Sequence, residues 1–398
     1  MKILAVHNYY QQPGGEDEVF EAETELLREK GHEIIHYIDN NKRIENMGRI
    51  STAVNTLWSK DSKGKMTKLL NSTKPDIAHF HNTFLLTSPS AYYACKEAQV
   101  PVVQSLHNPR LLCPSANLYR DGSVCEDCVG KTIPLPGVIH GCYRNSRAQT
   151  AVVAAMLTLH RWLNTWKDKV DTYIVFTEFY KNKFIEGGLP PEKIFLKPHF
   201  ISPDPHCRGR GSGEYALFIG RLDREKGIPT LLEAWRNVGD VPLKIRGDGD
   251  LLEYVEDTIN KNSLNTVDIV GRLSSEELFN LIKNARFLVW PSEGYYETFG
   301  LVAIEAFACG VPVIASRIGT LAENVKDGHT GLHFNPGDAK DLSSKVKWAW
   351  DNSEKMVEMG KNARNEYETK YTPEKNYQML LEIYERTIEA AKSVKNKH

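Results

Sequence analysis

The sequence predicts an α/β protein made of two doubly wound units, each a parallel β-sheet with helices on both faces. The first observation is length, because 398 residues exceed what one hydrophobic core usually holds and suit two domains of similar size. The second is an alternation of short apolar runs with helical stretches in the first half. The third is that this alternation begins again after residue 203.

The first half opens with a strand, a glycine loop and a helix. An apolar run at 3–6 leads into Gly14 and Gly15, and a helical pattern follows at 18–30. Continuous apolar runs of this kind are typical of strands buried on both faces. Further strands are predicted at 33–38, 77–80, 102–106, 172–176 and 194–198.

The second half repeats this organisation. A polar stretch with glycine and proline at 202–213 is typical of a linker, so the predicted domains are 1–203 and 204–370, with a capped helix at 371–398. We expect the carboxyl ends of both sheets to border one crevice, where open α/β sheets bind ligands. Strands are predicted at 215–220, 243–247, 267–271, 287–290 and 313–315.

Composition narrows the class of function. A quarter of the residues are charged and the formal net charge is −1, so no strong field favours nucleic acid as a partner. No apolar run reaches the 18 residues of a membrane span, and the first strand run is too short for a signal peptide. We therefore expect a globular, cytoplasmic protein.

The most specific segment contains two glutamates, Glu297 and Glu305, separated by seven residues. A helix that starts near 298–300 places Glu305 about two turns inside and Glu297 just before the first turn, so both carboxylates face one ligand. The backbone amides of Thr298, Phe299 and Gly300, with the positive helix end behind them, suit a diphosphate. A carboxylate beside that anion needs hydroxyl donors, and sugars supply them.

A second motif follows a strand that ends at Gly220. Arg221 and Lys226 lie five residues apart around a turn, so two cations can converge on one diphosphate. Two further strands lead into loops at Gly247 and before Arg272, where glycine lets the backbone approach a ligand closely.

In these segments the chain resembles the retaining glycosyltransferases of family 4, which have the two-domain fold called GT-B, and the resemblance extends over nearly the whole length. It implies transfer of a sugar from a UDP- or GDP-sugar to a glycan or lipid-linked acceptor, in polysaccharide or glycoconjugate biosynthesis, with no cofactor required for catalysis. Glu297 would hold hydroxyls of the donor sugar, and Glu305 would hold those of the ribose. Arg221 and Lys226 would neutralise the leaving nucleotide. The helix at 371–398 would cross back to the first domain.

The implied donor site draws on both halves of the chain. Its residues are Gly15, Gly220, Arg221, Lys226, Gly247, Arg272, Leu273, Glu297, Thr298, Phe299, Gly300, Leu301 and Glu305. The residues implied in catalysis are His107, Glu297, Arg221 and Lys226. No side chain is an obvious nucleophile, so we expect the leaving phosphate oxygen to take the acceptor proton during retention.

The first half supplies the expected acceptor side. Gly14 and Gly15 resemble the family loop that meets the diphosphate and the acceptor, although an ordinary turn has the same residues. His107 follows the carboxyl end of a strand and matches the family histidine that contacts the donor sugar; a structural histidine is the alternative. His81 and Asn82, at another strand end, are acceptor-side candidates.

Four of the seven cysteines lie in a loop-rich insert of the first domain, at 108–145. Cys125 and Cys128 form a knuckle that suits tetrahedral zinc, with Cys113 and Cys142 as the other ligands. Such a zinc would be structural because all four positions are filled. The alternative is four reduced thiols in a folded loop.

The segment 144–167 follows this insert and surrounds an apolar run with basic residues and tryptophans. Such a helix can lie on a membrane surface, which would place the protein on the inner face of the cell membrane. A core helix of the first domain explains the same pattern.

Other functions also fit a two-unit α/β protein. A sugar-nucleotide epimerase of the same fold would rearrange the donor without an acceptor, and a non-catalytic protein would only bind the sugar nucleotide. The joint presence of Glu297, Glu305, Arg221 and Lys226 favours the transferase. A nicotinamide oxidoreductase needs a Gly-x-Gly-x-x-Gly loop after the first strand, and this chain has none there.

Overall fold

A computed structural model describes residues 1–11, 14–205 and 213–395. Within them the chain divides into two compact units. The first consists of Met1–Leu118, Glu126–Lys197 and the C-terminal helix from Tyr377, and the second consists of Tyr119–Cys125 and Pro198–Asn376. Each unit contains a six-stranded parallel sheet with helices between its strands, which confirms the predicted class of two Rossmann-like α/β units.

The strands alternate with helices along most of the described chain. They are β1 (Lys2–Tyr9), β2 (Glu33–Asn40), β3 (Ile77–Phe80), β4 (Val102–Ser105), β5 (Tyr119–Arg120), β6 (Ser123–Val124), β7 (Thr172–Val175), β8 (Ile194–Leu196), β9 (Tyr215–Ile219), β10 (Leu243–Arg246), β11 (Val267–Val270), β12 (Ala285–Trp290), β13 (Val313–Ser316) and β14 (Gly331–Phe334). Neither the short pair β5 and β6 nor β14 was among the predicted strands.

The helices range from one turn to the 23 residues of the C-terminal helix. They are α1 (Gly15–Glu29), α2 (Arg49–Leu57), α3 (Lys60–Thr73), α4 (Ser90–Glu97), α5 (Leu135–His140), α6 (Arg147–Trp162), α7 (Thr165–Asp168), α8 (Glu178–Glu186), α9 (Ile228–Trp235), α10 (Leu252–Lys261), α11 (Ser275–Lys283), α12 (Leu301–Ala308), α13 (Gly319–Asn324), α14 (Ala339–Asp351), α15 (Ser353–Lys370) and α16 (Pro373–Lys395). Among the described residues, none of these helices has the length and hydropathy that crossing a membrane requires.

The first sheet has the strand order β2-β1-β3-β4-β7-β8, and its pairs are parallel. Every residue of β3 and β4 is buried, as expected for strands covered on both faces. From β1 the chain runs to β2 on one side and then to β3 on the other, so the topological switch point lies between β1 and β3. The Gly14 loop and His81 follow the carboxyl ends of these two strands.

The second sheet repeats this topology in the order β11-β10-β9-β12-β13-β14, again with parallel pairs. Its switch point lies between β9 and β12, which are neighbours. Gly220 and Arg221 follow β9, and the segment that contains Glu297 follows β12. The topology therefore brings together two motifs that are far apart in the sequence.

The units divide at residues that differ from the predicted boundaries. The prediction places the first boundary between residues 203 and 204, whereas the first unit reaches only Lys197 before the chain enters the second unit. Of the predicted linker at 202–213, residues 206–212 lie outside the described residues. Helix α16 starts at Pro373 and belongs to the first unit from Tyr377.

The cysteine-rich insert is divided between the units, which differs from its predicted place in the first domain. Strands β5 and β6 form an antiparallel hairpin within Tyr119–Cys125, a segment of the second unit. The ring of Tyr119 lies edge-on to that of Tyr295, with 6.5 Å between centroids. Gly294 packs so closely on the hairpin turn that a Cβ on it would lie 2.3 Å from the carbonyl oxygen of Gly122. Only glycine at 294 allows this docking.

Candidate active site

Glu297 follows β12 and is held by three hydrogen-bond donors. Lys226 Nζ lies 2.5 Å from Glu297 Oε1, and Ser292 Oγ donates to the same oxygen at 2.8 Å. Trp290 Nε1 also donates to Oε1, at 3.4 Å. Because the three donors converge on Oε1, a ligand hydroxyl can approach the other carboxylate oxygen. Glu297 itself is 9% exposed.

The charge of Glu297 is set by this environment. Burial alone would raise the pKa of Glu297, but the Lys226 ammonium and the hydrogen bonds from Lys226, Ser292 and Trp290 lower the pKa below its ordinary value. The group is therefore a carboxylate at neutral pH. A carboxylate only accepts hydrogen bonds, so this position selects ligands that carry hydroxyl donors.

Helix α12 starts later than predicted, at Leu301. Thr298, Phe299 and Gly300 precede it, so the diphosphate-binding amides expected at 298–300 lie in the approach to the helix rather than in its first turn. Glu305 is consequently about one turn inside the helix instead of two, and it is half-buried.

Gly300 explains why the helix starts where it does. It caps α12 with a φ of 84°, in the left-handed region that favours glycine. A Cβ on Gly300 would lie 2.0 Å from Cη2 of Trp290. The glycine thus lets the chain pass over the indole ring that donates to Glu297.

Phe299 is a core residue as far as its side chain is concerned. It is 3% exposed, and its ring lies edge-on to His199 with 4.8 Å between centroids. Its carbonyl oxygen accepts a hydrogen bond from Asn324 Nδ2 at 2.5 Å. These contacts anchor the segment between the two glutamates, so a donor-binding role of Phe299 is limited to its backbone.

The two predicted cations lie in different environments. The side chain of Lys226 is 17% exposed, and its Nζ lies 5.5 Å from the centroid of the Tyr295 ring. The side chain of Arg221 is 68% exposed and pairs with Asp223 at 3.0 Å and Glu225 at 3.7 Å. Lys226 is therefore preorganised by its partners, whereas Arg221 is free to reorient toward an anion at little cost.

The remaining donor-side predictions lie in loops after neighbouring strands. A Cβ on Gly247 would lie 2.0 Å from the carbonyl oxygen of Gly220, so glycine permits the close approach of the β9 and β10 ends. The Arg272 side chain is 92% exposed and lies 3.7 Å from Asp248. Leu273 is half-buried.

In the first unit, His107 is half-buried and contacts a second histidine. Its Nε2 lies 3.0 Å from Nδ1 of His81, and the two rings stack with 5.2 Å between centroids. His81 is only 3% exposed, so it lies behind His107 rather than at the surface. Both histidines line a small pocket with Asn108 and Arg110.

Asn82 uses its side chain to hold the turn after β3. Its Nδ2 donates to the carbonyl oxygen of Asn8 at 2.8 Å, and its Oδ1 accepts from the Phe84 amide at 2.9 Å. It is 5% exposed. These contacts fix the Asn82 side chain, which lines the same small pocket as His81 and His107, and its predicted acceptor contact stays a prediction.

The glycine loop leads into α1, where Gly14 is the N-cap and the exposed Gly15 is the first helical residue. The Gly14 amide donates to Asp17 Oδ2 at 3.1 Å, and Asp17 Oδ1 lies 2.7 Å from His7 Nε2. Burial lowers the pKa of His7 to about 4 despite its hydrogen bond to Asp17. The first turn of α1 carries three acidic residues, and the predicted ligand contacts of Gly14 and Gly15 stay predictions.

A polar group beside this loop was not predicted. Asn108 Nδ2 donates to Glu16 Oε2 at 3.1 Å and lies 3.3 Å from the Tyr10 hydroxyl. Burial, and then the charge of Asp17, raises the pKa of Glu16 to about 8. Glu16 adjoins the glycine pair and Asn108 adjoins His107, but nothing in the sequence connects the two segments.

The predicted zinc ligands belong to both units: Cys125 ends a segment of the second unit, and Cys113, Cys128 and Cys142 lie in the first. Cys113 and Cys128 are buried, and the Cys142 amide donates to the Gly137 carbonyl at 3.0 Å. Among the described residues, the group of three potential ligands with ligand atoms within 4.8 Å of one another is Glu23, His79 and His81. The zinc site at the four cysteines stays a prediction, and metal analysis of the purified protein tests it.

Comparison with known sequences gives one family. Residues 209–366 match the family model described as glycosyl transferases group 1. An uncharacterised glycosyltransferase of Methanocaldococcus jannaschii is 31% identical over 333 residues, which are 81% of this chain and 78% of that protein. A second one from the same organism is 35% identical over 175 residues, 44% of this chain and 49% of the relative. Glycogen synthase of Mycobacterium tuberculosis is 37% identical over 140 residues, and the match spans only 33% of that enzyme and 34% of this chain.

Solved structures resemble the whole chain. Sucrose-phosphate synthase from Thermosynechococcus elongatus has a TM-score of 0.71 at 18% identity, with 98% of this chain and all of that chain covered. The Anabaena protein HepE, in complex with UDP, has a TM-score of 0.67 at 18% identity, with 96% and 99% covered. At such identities the likeness shows the fold alone, and that fold is GT-B.

Proposed function

Because this chain belongs to the glycosyl transferases group 1 family, we propose that it is a retaining enzyme of family 4 that transfers a sugar from a UDP- or GDP-sugar to a glycan or lipid-linked acceptor. The observation that carries the proposal is the Glu297 carboxylate, which is charged and held through one oxygen by Lys226, Ser292 and Trp290. This arrangement suits a sugar hydroxyl on one side and a phosphate beside the lysine.

Lys226 has two functions in this proposal. It orients Glu297 in the unliganded protein, and it can share its remaining N–H donors with the diphosphate of a bound donor. Arg221, exposed and only loosely paired, then turns toward the same diphosphate. Two cations next to the leaving group stabilise the charge that develops as the sugar–phosphate bond breaks, so no metal ion is needed for that step in the proposal.

Retention in this proposal requires the acceptor hydroxyl to arrive on the face from which the diphosphate leaves, because Glu297 is a poor nucleophile for a covalent intermediate. Its charge is stabilised by three donors, so it is better suited to binding hydroxyls than to attacking the anomeric carbon. In the proposed step, the acceptor oxygen bonds to the anomeric carbon while the bond to the phosphate oxygen breaks. The acceptor proton passes to that phosphate oxygen, which leaves as the nucleoside diphosphate. His107 of the first unit is proposed to contact the donor sugar.

The first experiment is a thermal-shift and hydrolysis screen with UDP-, GDP- and ADP-sugars in the presence of a chelator. We expect one nucleotide sugar to stabilise the wild type by ligand linkage and to be slowly hydrolysed. Lys226→Ala should abolish both effects. Lys261→Ala is the matched control, because Lys261 also pairs with a carboxylate at 2.8 Å, Asp257, but on an exposed helix. A screen in which no nucleotide sugar binds contradicts the proposed function.

The stereochemistry is tested by NMR of the product from the identified donor. The proposal expects the anomeric configuration of the donor sugar to be kept. An inverted product, or a covalent sugar adduct on Glu297 detected by mass spectrometry, would overturn the mechanism. Rearrangement of the sugar without any acceptor would support the epimerase instead.

For the acceptor side we propose a peripheral membrane contact through three helices of the first unit, α2, α5 and α6. Helices α2 and α5 both pack on α6. Exposed apolar residues on or beside these helices are Ile50, Val54, Ile133, Leu135, Ile139, Trp162 and Leu163. Exposed cations nearby are Lys131, Arg147 and Lys167. Trp162 is 67% exposed, whereas Trp166 is buried, so only the first of these tryptophans supports the contact.

Flotation with vesicles that contain anionic lipid tests this contact. We expect the wild type to float, and Trp162→Ser with Ile139→Ser to float much less. Trp348→Ser is the matched control, because Trp348 is 40% exposed on α14 of the second unit. Equal flotation of all three proteins, or none by the wild type, would count against a membrane-linked acceptor and favour a free glycan.

A further inference from the structure

A buried charged cluster lies beneath His107 in the first unit. It consists of Glu23 on α1, His79 on β3, His81 after β3, and Lys197 after β8, and is called the Glu23 cluster below. Lys197 Nζ lies 2.5 Å from Glu23 Oε2, and their side chains are 1% and 2% exposed. Nothing in the proposed transfer step uses this pair.

The cluster is connected to its surroundings by further hydrogen bonds. His79 bonds through Nδ1 to the Tyr384 hydroxyl at 2.7 Å and through Nε2 to Ser105 Oγ at 2.9 Å. The second oxygen of Glu23, Oε1, lies 3.3 Å from His79 Nδ1 and 3.4 Å from His81 Nε2. These are polar contacts longer than a good hydrogen bond, and Oε1 has no hydrogen-bond partner among the described residues. Glu23 therefore faces both histidines, but its contact with His81 is the one that leads toward His107.

The cluster keeps Glu23 charged. Burial alone would raise the pKa of Glu23, but the charge of Lys197 and the contacts with His81 and His79 hold that pKa well below its ordinary range. Burial also lowers the pKa of His79 well below its usual value, so His79 stays neutral. The Glu23 cluster thus contains one carboxylate and one ammonium, in direct contact.

The Glu23 carboxylate determines which ring nitrogen of His81 is protonated. Two lone pairs that face each other repel, so His81 Nε2 carries hydrogen toward Glu23. In neutral His81, Nδ1 is then an acceptor. Because Nδ1 of His81 lies 3.0 Å from Nε2 of His107, His107 must donate from Nε2. The remaining nitrogen of neutral His107, Nδ1, is therefore an acceptor.

We propose that Glu23 is a positioning residue, which acts through His81 to hold His107 in the tautomer protonated at Nε2. His107 Nδ1 then accepts a hydrogen bond from a hydroxyl of the bound sugar; this last step rests on the proposed glycosyltransferase function. Lys197 completes the device, because without it the buried carboxylate would be uncompensated.

The same atoms are close enough together to hold a metal ion, but the charges argue against one. Glu23, His79 and His81 have ligand atoms within 4.8 Å of one another. The Lys197 ammonium already lies 2.5 Å from the carboxylate and would repel a divalent cation. The lysine thus supplies the positive charge that a metal would otherwise bring.

The tautomer is tested directly by two-bond ¹H–¹⁵N NMR of the full chain labelled with ¹⁵N-histidine. In the wild type we expect His107 and His81 each to be protonated at Nε2. This readout does not depend on any substrate, so it separates failure of the tautomer from failure of the proposed function. His107 protonated at Nδ1 in the wild type, or metal analysis that finds stoichiometric zinc removed by E23L, would overturn the proposal.

Two double variants separate the hydrogen bond from the ion pair. Glu23→Leu with Lys197→Met replaces the pair by apolar side chains of similar size, which buried sites often tolerate. Glu23→Gln with Lys197→Met also removes both charges but keeps a polar oxygen that can face His81 Nε2. We expect the leucine variant to fold, to populate a mixture of His107 tautomers and to lose about three- to tenfold in kcat/KM for the donor, the effect of one hydrogen bond. The glutamine variant should keep the wild-type tautomer and most of the activity.

The control is Tyr384→Phe, which removes a hydrogen bond to His79 and leaves Glu23 and His81 in place. It should lower thermal stability without changing the His107 tautomer. If the leucine variant keeps the wild-type tautomer and kcat/KM, or if Tyr384→Phe shifts the tautomer as strongly, Glu23 is only structural and the proposal fails.

Discussion

Each unit contains a lysine–glutamate pair with 2.5 Å between nitrogen and oxygen, but the two pairs differ in what surrounds them. In the first unit, the side chains of Lys197 and Glu23 are 1% and 2% exposed. In the second unit, those of Lys226 and Glu297 are 17% and 12% exposed and lie at a sheet switch point. The enclosed pair has no access to a ligand, whereas the second pair can open toward one.

This difference shows that the distance within an ion pair does not indicate its role. Desolvation offsets most of the attraction within an enclosed pair, so its presence is weak evidence for stability, but loss of one partner is costly. A partly open pair retains solvent on one side, and an incoming anion can replace that solvent. The first pair should therefore affect folding most, and the second should affect binding and transfer most.

The largest expected effect is on folding, from Lys197→Met. It leaves the Glu23 carboxylate buried without its partner and should lower the free energy of unfolding by about 3–5 kcal/mol. Urea denaturation followed by circular dichroism measures this change. The double variant Glu23→Leu with Lys197→Met should recover most of this loss. If the double variant is as unstable as Lys197→Met alone, the loss does not come from an unpaired Glu23 carboxylate.

The second effect is on transfer, from Lys226→Met. Loss of a preorganised cation beside the leaving group should lower kcat/KM by about 10²–10³-fold. Because this pair is partly exposed, the cost in unfolding free energy should be only about 1–2 kcal/mol. Kinetics and urea denaturation of the same preparation give both numbers. A stability loss equal to that of Lys197→Met would show that the two pairs are equivalent.

The third effect concerns Gly300, where the backbone passes over the Trp290 ring that donates to Glu297 of the Lys226–Glu297 pair. Gly300→Ala places a Cβ against Trp290, which donates to Glu297, and it also occupies a left-handed backbone conformation. Gly328→Ala is the matched control, since its φ is +71° and a Cβ there would have nothing within 4 Å.

We expect Gly328→Ala to cost about 1–2 kcal/mol from backbone strain alone. Gly300→Ala should cost a further 1–3 kcal/mol or so from overpacking, and it should weaken donor binding as well. Thermal denaturation with and without the nucleotide sugar measures both. Equal costs at the two positions would mean that Trp290 moves freely and does not position Glu297.

The two ion pairs also differ in whether their contact could be predicted from the sequence. Lys226 and Glu297 lie in segments with recognisable spacing, and parallel α/β topology places the ends of β9 and β12 together, so their meeting could be expected. Glu23 and Lys197 are 174 residues apart in segments without a motif, so only the folded chain reveals their contact. Hydrophobic periodicity predicts elements well but does not predict which buried polar side chains meet.

Where the predictions from the sequence differ from the structure, the cause is a local feature of the backbone or its packing. The start of α12 was placed too early because Gly300 adopts a left-handed cap that helical periodicity does not indicate. Strand β14 was missed because it is short and begins at Gly331, where a Cβ would lie 1.9 Å from the carbonyl oxygen of Val313. The hairpin of β5 and β6 joins the second unit through a turn contact at Gly294, and nothing in the insert itself indicates that partner.

The smallest expected effect concerns a third acidic residue, Glu16, which has no lysine partner in the described structure. Burial raises the pKa of Glu16 to about 8, whereas in the unfolded chain it is near 4.5. The folded state therefore keeps a proton that the unfolded state has released, so this contribution to stability is complete below pH 4.5 and is lost as pH rises through about 8.

Glu16→Gln should remove that dependence of stability on pH. Because Glu16 is half-buried, we expect the two proteins to differ by less than about 1 kcal/mol between pH 6 and pH 9. If urea denaturation shows the same pH dependence for both proteins across this range, Glu16 is instead charged in the folded state, because a carboxyl whose pKa is ordinary or lowered does not titrate between pH 6 and pH 9.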